Sequence, residues 1–260
     1  MKKHYTRKLL EKLEGEQSIS DKFHISTNNK KLDPPNKLTS KNTPKSWIKI
    51  YFKTYPRMNK IKLNEIKFQA NKLSDIFRKR SSVRHFSNIP ISKKELSYLL
   101  FASCGLINLG KTLDESRRPY PSAGARYPLE VYPLVLNCEE IKNGLYHYNV
   151  KENSLELLLE EDLRYWVTKN TNGEKWTATT AVIFIITGVL DRTRIKYGER
   201  GYRYALLEAG HLGQNICLLA TELGLGSCAL GGYIDQEVDK LLDIDLQKEF
   251  TLYLIAVGKP

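Results

Sequence analysis

Four short runs in this 260-residue chain collect residue types able to bind or transform a small molecule. Arg80-Ser81-Ser82-Val83-Arg84 sets two guanidiniums and two hydroxyls within one short run. Arginine presents bidentate charged donors and serine adds another, so the run suits a phosphate, although a solvated basic turn is the commoner source of such a pattern. Arg117 to Pro128 packs prolines, a glycine and arginines just before a strand-like stretch, Leu129 to Cys138. Each proline fixes φ and removes a donor, which makes the segment a rigid, closely shaped loop. Within it Pro121, Ser122, Ala123 and Gly124 leave room for something flat or bulky to approach the backbone. Taken alone, the segment is equally a tight connection into the strand. Gly231-Gly232 could offer backbone N–H groups to a planar ring or an anion, or be an ordinary turn. Lys196-Tyr197 pairs an ammonium with a phenol, and a close positive charge lowers a tyrosine pKa by about 1–3 units, which fits Tyr197 as a proton acceptor. Neighbours in a regular helix or strand face different ways, so both serve one pocket only from a loop or irregular turn. Two surface residues are the simpler reading of that pair.

The elements that must position these runs can be read from periodicity. Leu73 to Arg80 reads as a short helix. Ser92 with Glu95 three residues on is a capping-box signature, opening an amphipathic helix through about Leu106. Val131 to Leu136 and Gly144 to Val150 read as strands of a hairpin or meander. Ala181 to Val189 is β-branched and apolar throughout, as expected of a central strand buried on both faces. Tyr202 to Leu223 carries the longest helical pattern. Its Leu206, Leu207, Leu212, Ile216, Leu219, Ala220 and Leu223 cover so much of the circumference that a central, nearly fully buried helix is expected. Gly224-Leu225-Gly226 stops it, Asp235 starts another short helix, and Thr251 to Gly258 closes the chain as a strand. Helices and strands mix without strict βαβ alternation, which implies an α+β fold with a mostly antiparallel sheet.

The charge balance is uneven. Residues 1–62 carry 16 Lys/Arg against 5 Asp/Glu, whereas the remaining 198 residues carry 25 against 24. The body is neutral and the beginning is basic, so residues 1–70 read as a basic N-terminal arm and 71–260 as the folded domain. A solvated lysine-rich arm is the simpler origin of this bias; a docking surface for an acidic peptide or partner protein is the functional one. No RNA- or DNA-binding motif accompanies the charge, which argues against nucleic acid. The longest apolar run, Ala181 to Leu190, falls well short of the roughly 18 residues of a membrane span. The four cysteines are scattered, with no spacing that suggests zinc or a disulfide framework, so no metal is expected. With no apolar core for a signal peptide after Met1, the cytoplasm is the expected compartment.

Arg80-x-Ser82-x-Arg84, Pro121-Ser122-Ala123-Gly124, and Gly224-Leu225-Gly226 running into Gly231-Gly232 and an acidic short helix occur in the order of the flavin-dependent nitroreductase superfamily. More narrowly, Arg118 to Tyr132 resembles the azoline oxidases, or SagB-type dehydrogenases. So do Lys196-Tyr197 followed by Arg200-Gly201-Tyr202-Arg203, and Glu208-Ala209-Gly210-His211. The resemblance spans roughly residues 72–260. It implies a nitroreductase-like three-layer sandwich, homodimeric, with one FMN in each of two sites at the subunit interface. By position Arg80, Ser82 and Arg84 would hold the FMN phosphate and ribityl chain. Pro121, Ser122 and Gly124 would approach the isoalloxazine ring from the partner subunit, Gly231 and Gly232 would offer backbone to it, and Lys259 would add charge at the phosphate. Lys196 and Tyr197 align with the catalytic pair of the oxidase subgroup. General nitroreductases carry Asn and Gln after the Pro-Ser loop where this chain has Ala125 and Tyr127, so flavin contacts there do not transfer.

The implied activity is dehydrogenation of peptide thiazolines or oxazolines to azoles in a ribosomally made bacteriocin or toxin, alongside a cyclodehydratase. The alternatives are an NAD(P)H-dependent nitroreductase or flavin reductase, and a scaffold subunit of a peptide-modifying complex. His211 lies on the long helix and is expected to be a hydrogen-bonded core residue with Glu208 as its structural partner. Neither is assigned to chemistry.

Overall fold

The computed structural model describes residues 52–64, 73–107, 116–171, 175–244 and 249–260. Among them, β1 Lys60–Lys62, β2 Leu129–Val135, β3 Gly144–Asn149, β4 Ser154–Leu159, β5 Val182–Val189, β6 Gly226–Leu230 and β7 Glu249–Gly258 build one sheet in the order β1-β4-β3-β2-β5-β7-β6. Each neighbouring pair is antiparallel. The helices are α1 Leu73–Lys79, α2 Lys93–Cys104, α3 Arg164–Asn170, α4 Asp191–Tyr197, α5 Arg200–Glu222 and α6 Asp235–Leu242.

Side-chain alternation along the strands makes the layers. In β5, Val182, Phe184 and Ile186 enter a core completed by Leu96, Leu99 and Leu100 of α2 and by Leu212, Ile216 and Ala220 of α5. Ile183 and Ile185 enter a second core with Val167 of α3 and with Val238 and Leu242 of α6. Each such side chain contributes about 1.5–3 kcal/mol on burial, so a strand apolar at every position is held by helices on both faces. The result is the helix–sheet–helix sandwich expected. The Ser92 capping box also forms: Glu95 N–H donates to Ser92 Oγ while Glu95 Oε2 accepts from Ser92 N–H.

Three expectations need revision. The boundary near residue 70 leaves β1 outside the domain, yet Ile61 pairs with Leu155 and extends the sheet beyond β4. The described residues 52–64 are thus part of the fold, and the arm otherwise lies outside the described residues. α5 is not nearly fully buried. Its buried stripe runs through Ala205, Ala209, Leu212, Ile216 and Ala220, whereas Leu206 and Leu207 are 39% and 55% exposed. A helix packed on one face of a sheet can bury only one side, and these leucines fall on the other. Finally, Lys196 and Tyr197 lie in the last turn of a regular helix, α4, rather than in a loop.

Candidate functional site

The Arg117–Pro128 segment is as rigid as its composition demands, and its hydrogen bonds show why. Gly124, Ala125 and Tyr127 all adopt positive φ, at 59°, 51° and 45°. Only glycine does this without cost, so two residues are strained and the surroundings must hold them. Tyr127 N–H donates to Ser122 Oγ at 2.8 Å, and Tyr127 Oη accepts from Arg118 N–H at 3.2 Å. The buried Arg118 guanidinium sits over the Tyr127 ring and donates to Tyr120 Oη at 3.2 Å. Arg126, also buried, donates to the Arg192 carbonyl of α4. Two of the segment's three arginines are therefore structural.

This rigidity presents a shaped surface. A Cβ on Gly124 would stand 2.6 Å from Tyr197 Oη and 3.3 Å from Lys196 Nζ, so the glycine is what lets the loop meet that pair. Both side chains reach it because α4 ends at Tyr197 and the lysine is long enough to fold back, its Nζ 5.4 Å from the Tyr197 ring centroid. Tyr204 packs edge-on against Tyr197, with centroids 5.1 Å apart. Burial raises the Tyr197 pKa above 10, Tyr204 and Glu208 push the same way, and Arg126 opposes them. The lowering expected from Lys196 is thus reversed. The ammonium lies against the ring face while burial and neighbouring acids disfavour the phenolate.

Across the loop stands Glu208 of α5. Ser122 Oγ donates to Glu208 Oε1 at 2.8 Å and Ala123 N–H donates to the same oxygen at 3.1 Å. Burial raises this carboxyl to about 7, against the pull of those two donors and of Arg118. Glu208 is therefore tied to the loop rather than to His211, which is exposed. His211 is not a core residue because it shares the open side of α5 with Leu207. Together Pro121, Ser122, Ala123, Tyr204, Leu207, Glu208 and His211 line a cavity of about 300 Å³.

The other candidate binding residues gather elsewhere. Val83 N–H donates to the Ser227 carbonyl of β6 at 2.9 Å, and Ser82 bridges to Ser227. A Cβ on Gly226 would stand 2.8 Å from the Val83 side chain, so glycine permits this close crossing. Lys259 follows Gly258, the β7 residue paired with Gly226, and its carbonyl accepts from Ser87 N–H at 2.8 Å. Arg80, Ser82, Arg84 and Lys259 thus share one end of the sheet. Their side chains make no ion pair or hydrogen bond among the described residues. Ser82 and Arg84 are exposed. Gly231 and Gly232 leave the sheet after Leu230, opposite Leu254 near the middle of β7.

Within one chain the two groups stay apart. α5 meets the loop at Glu208, and further along it the Arg80 charge partly offsets the burial that raises the Cys217 thiol pKa. At 1.5 Å per residue these two positions are roughly 14 Å apart along the helix.

The family model for the nitroreductase family matches residues 77–259. The chain belongs to the nitroreductase family. A protein of Methanocaldococcus jannaschii assigned as a nitroreductase is 36% identical over 188 residues, covering 72% of this chain and 91% of that one. The microcin B17-processing protein McbC of Escherichia coli is 34% identical over 136 residues, covering 50% of this chain and 49% of its own length. The chain thus matches about half of that relative. The E. coli microcin synthetase McbBCD complex, solved with truncated pro-MccB17 bound, superimposes with a TM-score of 0.61 at 23% identity, covering 93% of this chain and 92% of that one. Among the described residues no helix is long and apolar enough to cross a membrane, and no cluster of metal-ligating side chains occurs.

Sequence reasoning missed one more feature of this nitroreductase-family chain, a buried chain of charges anchoring α4. Arg192 Nη1 lies 2.5 Å from Glu130 Oε1, His147 Nε2 3.1 Å from Glu130 Oε2, and His147 Nδ1 2.9 Å from Glu156 Oε2. Burial alone would raise the Glu130 pKa, but Arg192 and His147 hold it at about 2. Burial likewise opposes charging His147, and its two carboxylate partners win, raising its pKa. Glu130, His147 and Glu156 sit on one sheet face on three strands, a relation that strand pairing alone creates.

Proposed function

We propose that this protein is an FMN-dependent dehydrogenase that oxidises azoline rings of a ribosomally made peptide to azoles. The observation that carries the reading is the convergence of Lys196 Nζ and Tyr197 Oη on Gly124 of the Pro-Ser-Ala-Gly loop. The residues suit a flavin mononucleotide: an open cluster of Arg80, Ser82, Arg84 and Lys259 for the phosphate, and a small-residue loop beside a cavity for the ring. Because the two groups lie apart in one chain, the reading includes a homodimer in which each site takes one group from each subunit. The microcin B17-processing relative supports a peptide substrate, and the reading adds association with a cyclodehydratase complex.

The flavin, when bound, supplies the two-electron acceptor. The azoline loses a proton from its ring Cα–H, acidified by the adjacent carbonyl and imine, and a hydride from the neighbouring carbon. Aromatisation drives the step. Proton removal falls to Tyr197 assisted by Lys196. Because burial disfavours the phenolate, Lys196 must stabilise it as the proton leaves. The rigid loop holds the reacting ring while Leu207 and Pro121 keep the cavity wall apolar.

The test is incubation of the FMN-loaded protein with an azoline peptide, reading product mass and flavin absorbance. A loss of two hydrogens with flavin bleaching is expected. A protein that takes up FMN yet leaves azolines unchanged would sink the substrate assignment. The archaeal relative, matched over 91% of its length, favours a second reading as an NAD(P)H-dependent nitroreductase. Rapid NADPH oxidation with a nitroaromatic and no action on azolines would select it. A colourless protein that still associates with a cyclodehydratase would instead point to a scaffold, and the cytoplasm remains the proposed compartment.

A further inference from the structure

Glu208 has one oxygen engaged and one in reserve. Oε1 accepts from Ser122 Oγ and Ala123 N–H, whereas Oε2 has no hydrogen-bond partner among the described residues. The side chain is 97% buried by its 3% exposure, yet it lines the cavity between the loop and α5. A buried polar atom left without a partner is costly, and native structures leave few of them unless a ligand or water completes the set. We propose that Glu208 is a ligand-binding residue of this site: Oε1 holds the loop, and Oε2 carries a proton donated to an acceptor atom of the molecule that fills the cavity, so that binding and proton uptake are linked.

The surroundings favour the protonated form. From the loop, Arg118 draws the carboxyl towards ionisation, while Tyr120 contributes an un-ionised phenol whose pKa burial has raised well above its ordinary value. From α4, Tyr197 faces it with a raised pKa, and Lys196 stands at the same loop through Gly124. From α5 itself, Tyr204 and His211 share the cavity wall. With burial dominant, the balance places the carboxyl at about 7. A flat ligand covering Pro121 and Leu207 removes further solvent and offers ring nitrogens or carbonyl oxygens as acceptors. Both effects draw a proton onto Glu208.

The inference rests on the flavin reading of this site, with FMN as the probe. Calorimetric titration of FMN in two buffers of different ionisation enthalpy counts the protons taken up, without any turnover. Wild-type protein is expected to take up more protons than Glu208→Gln at pH 7 to 8, with no difference at pH 5, where the carboxyl is already protonated. The FMN phosphate contributes equally to both and cancels. The wild-type Kd is expected to weaken by up to about tenfold more than that of Glu208→Gln between pH 7 and pH 8.5. Equal proton counts in the two proteins, or net release, would overturn the inference while leaving the flavin reading intact. Failure of wild-type protein to bind FMN would remove both. If Glu208→Gln does not fold by circular dichroism, Ser122→Ala serves. Loss of one donor to Oε1 should move the pH of maximal uptake upward, and an unmoved profile would count against the role.

Discussion

Two charged regions of this molecule are built on opposite principles. In the chain Arg192–Glu130–His147–Glu156 the partners come from within the protein, and Glu156 also accepts from Asn149 Nδ2 at 2.9 Å and Tyr55 N–H at 2.8 Å. At the Arg80–Arg84 turn the guanidiniums have no hydrogen-bond or ion-pair partner among the described residues, Arg84 exposed and Arg80 half-buried. Charges that a fold satisfies internally act as fasteners. Charges it leaves open, on a backbone pinned to β6, are available to something else. Arginine count alone does not separate the two, since Arg118 and Arg126 belong with the fasteners.

The sharpest way to break this contrast is to cut the internal chain. Glu130→Ala strands Arg192 and His147, and removing one member of a buried pair costs about 3–5 kcal/mol. Denaturant unfolding should show that loss, and a change under 1 kcal/mol would mean the network is not a fastener. Arg80→Ala and Arg84→Ala should do the reverse. Each should leave stability within about 0.5 kcal/mol of wild type. Each should weaken FMN binding by about 10–150-fold, the range for a charged hydrogen bond of about 1.5–3 kcal/mol, as read by flavin fluorescence.

Glu208 falls between the classes, engaged at one oxygen and open at the other, and its pH behaviour sharpens the comparison. Its folded pKa of about 7 lies above the ordinary 4.5, so its stabilising contribution is full below pH 4.5 and is lost as pH rises through 7. Glu208→Gln retains an acceptor for Ser122 and Ala123 without the charge. It should be about 3 kcal/mol more stable than wild type at pH 8, with the difference nearly gone by pH 4.5. Thermal melts across that range check it. The smallest expected effects are kinetic. Tyr197→Phe and Lys196→Ala should retain FMN and lose at least about tenfold in azole formation. With the Tyr197 phenol raised above 10, wild-type turnover should climb with pH up to the alkaline range, and Tyr197→Phe should abolish the slope.

Much of the frame was legible in the chain. The capping box at Ser92, the doubly apolar β5 and the proline-rich loop each rest on short-range rules that tertiary context did not override. β4 and β6 went unread. Ser154 to Leu159 is too short to declare its period, its alternation ending after Glu156 in three leucines, and Gly226 to Leu230 is masked by glycine, serine and cysteine. His211 was misplaced because a helix with leucines around its circumference does not say which side meets the sheet. Glu208 did carry a signal: it lies three residues after Ala205 and four before Leu212, an acid within the buried stripe.

Residue order alone determined the α+β layering, the stiffness of the loop and the types of side chain available for chemistry, because capping, proline geometry and β-branching act over a few residues. Only the folded structure decided that Gly124 meets Tyr197 and Lys196, that Glu208 is clamped to Ser122 with one oxygen to spare, and that the basic cluster lies at a distance from both. Those relations join residues 73 and 86 positions apart. No local rule reaches across such a separation; strand pairing and helix packing do.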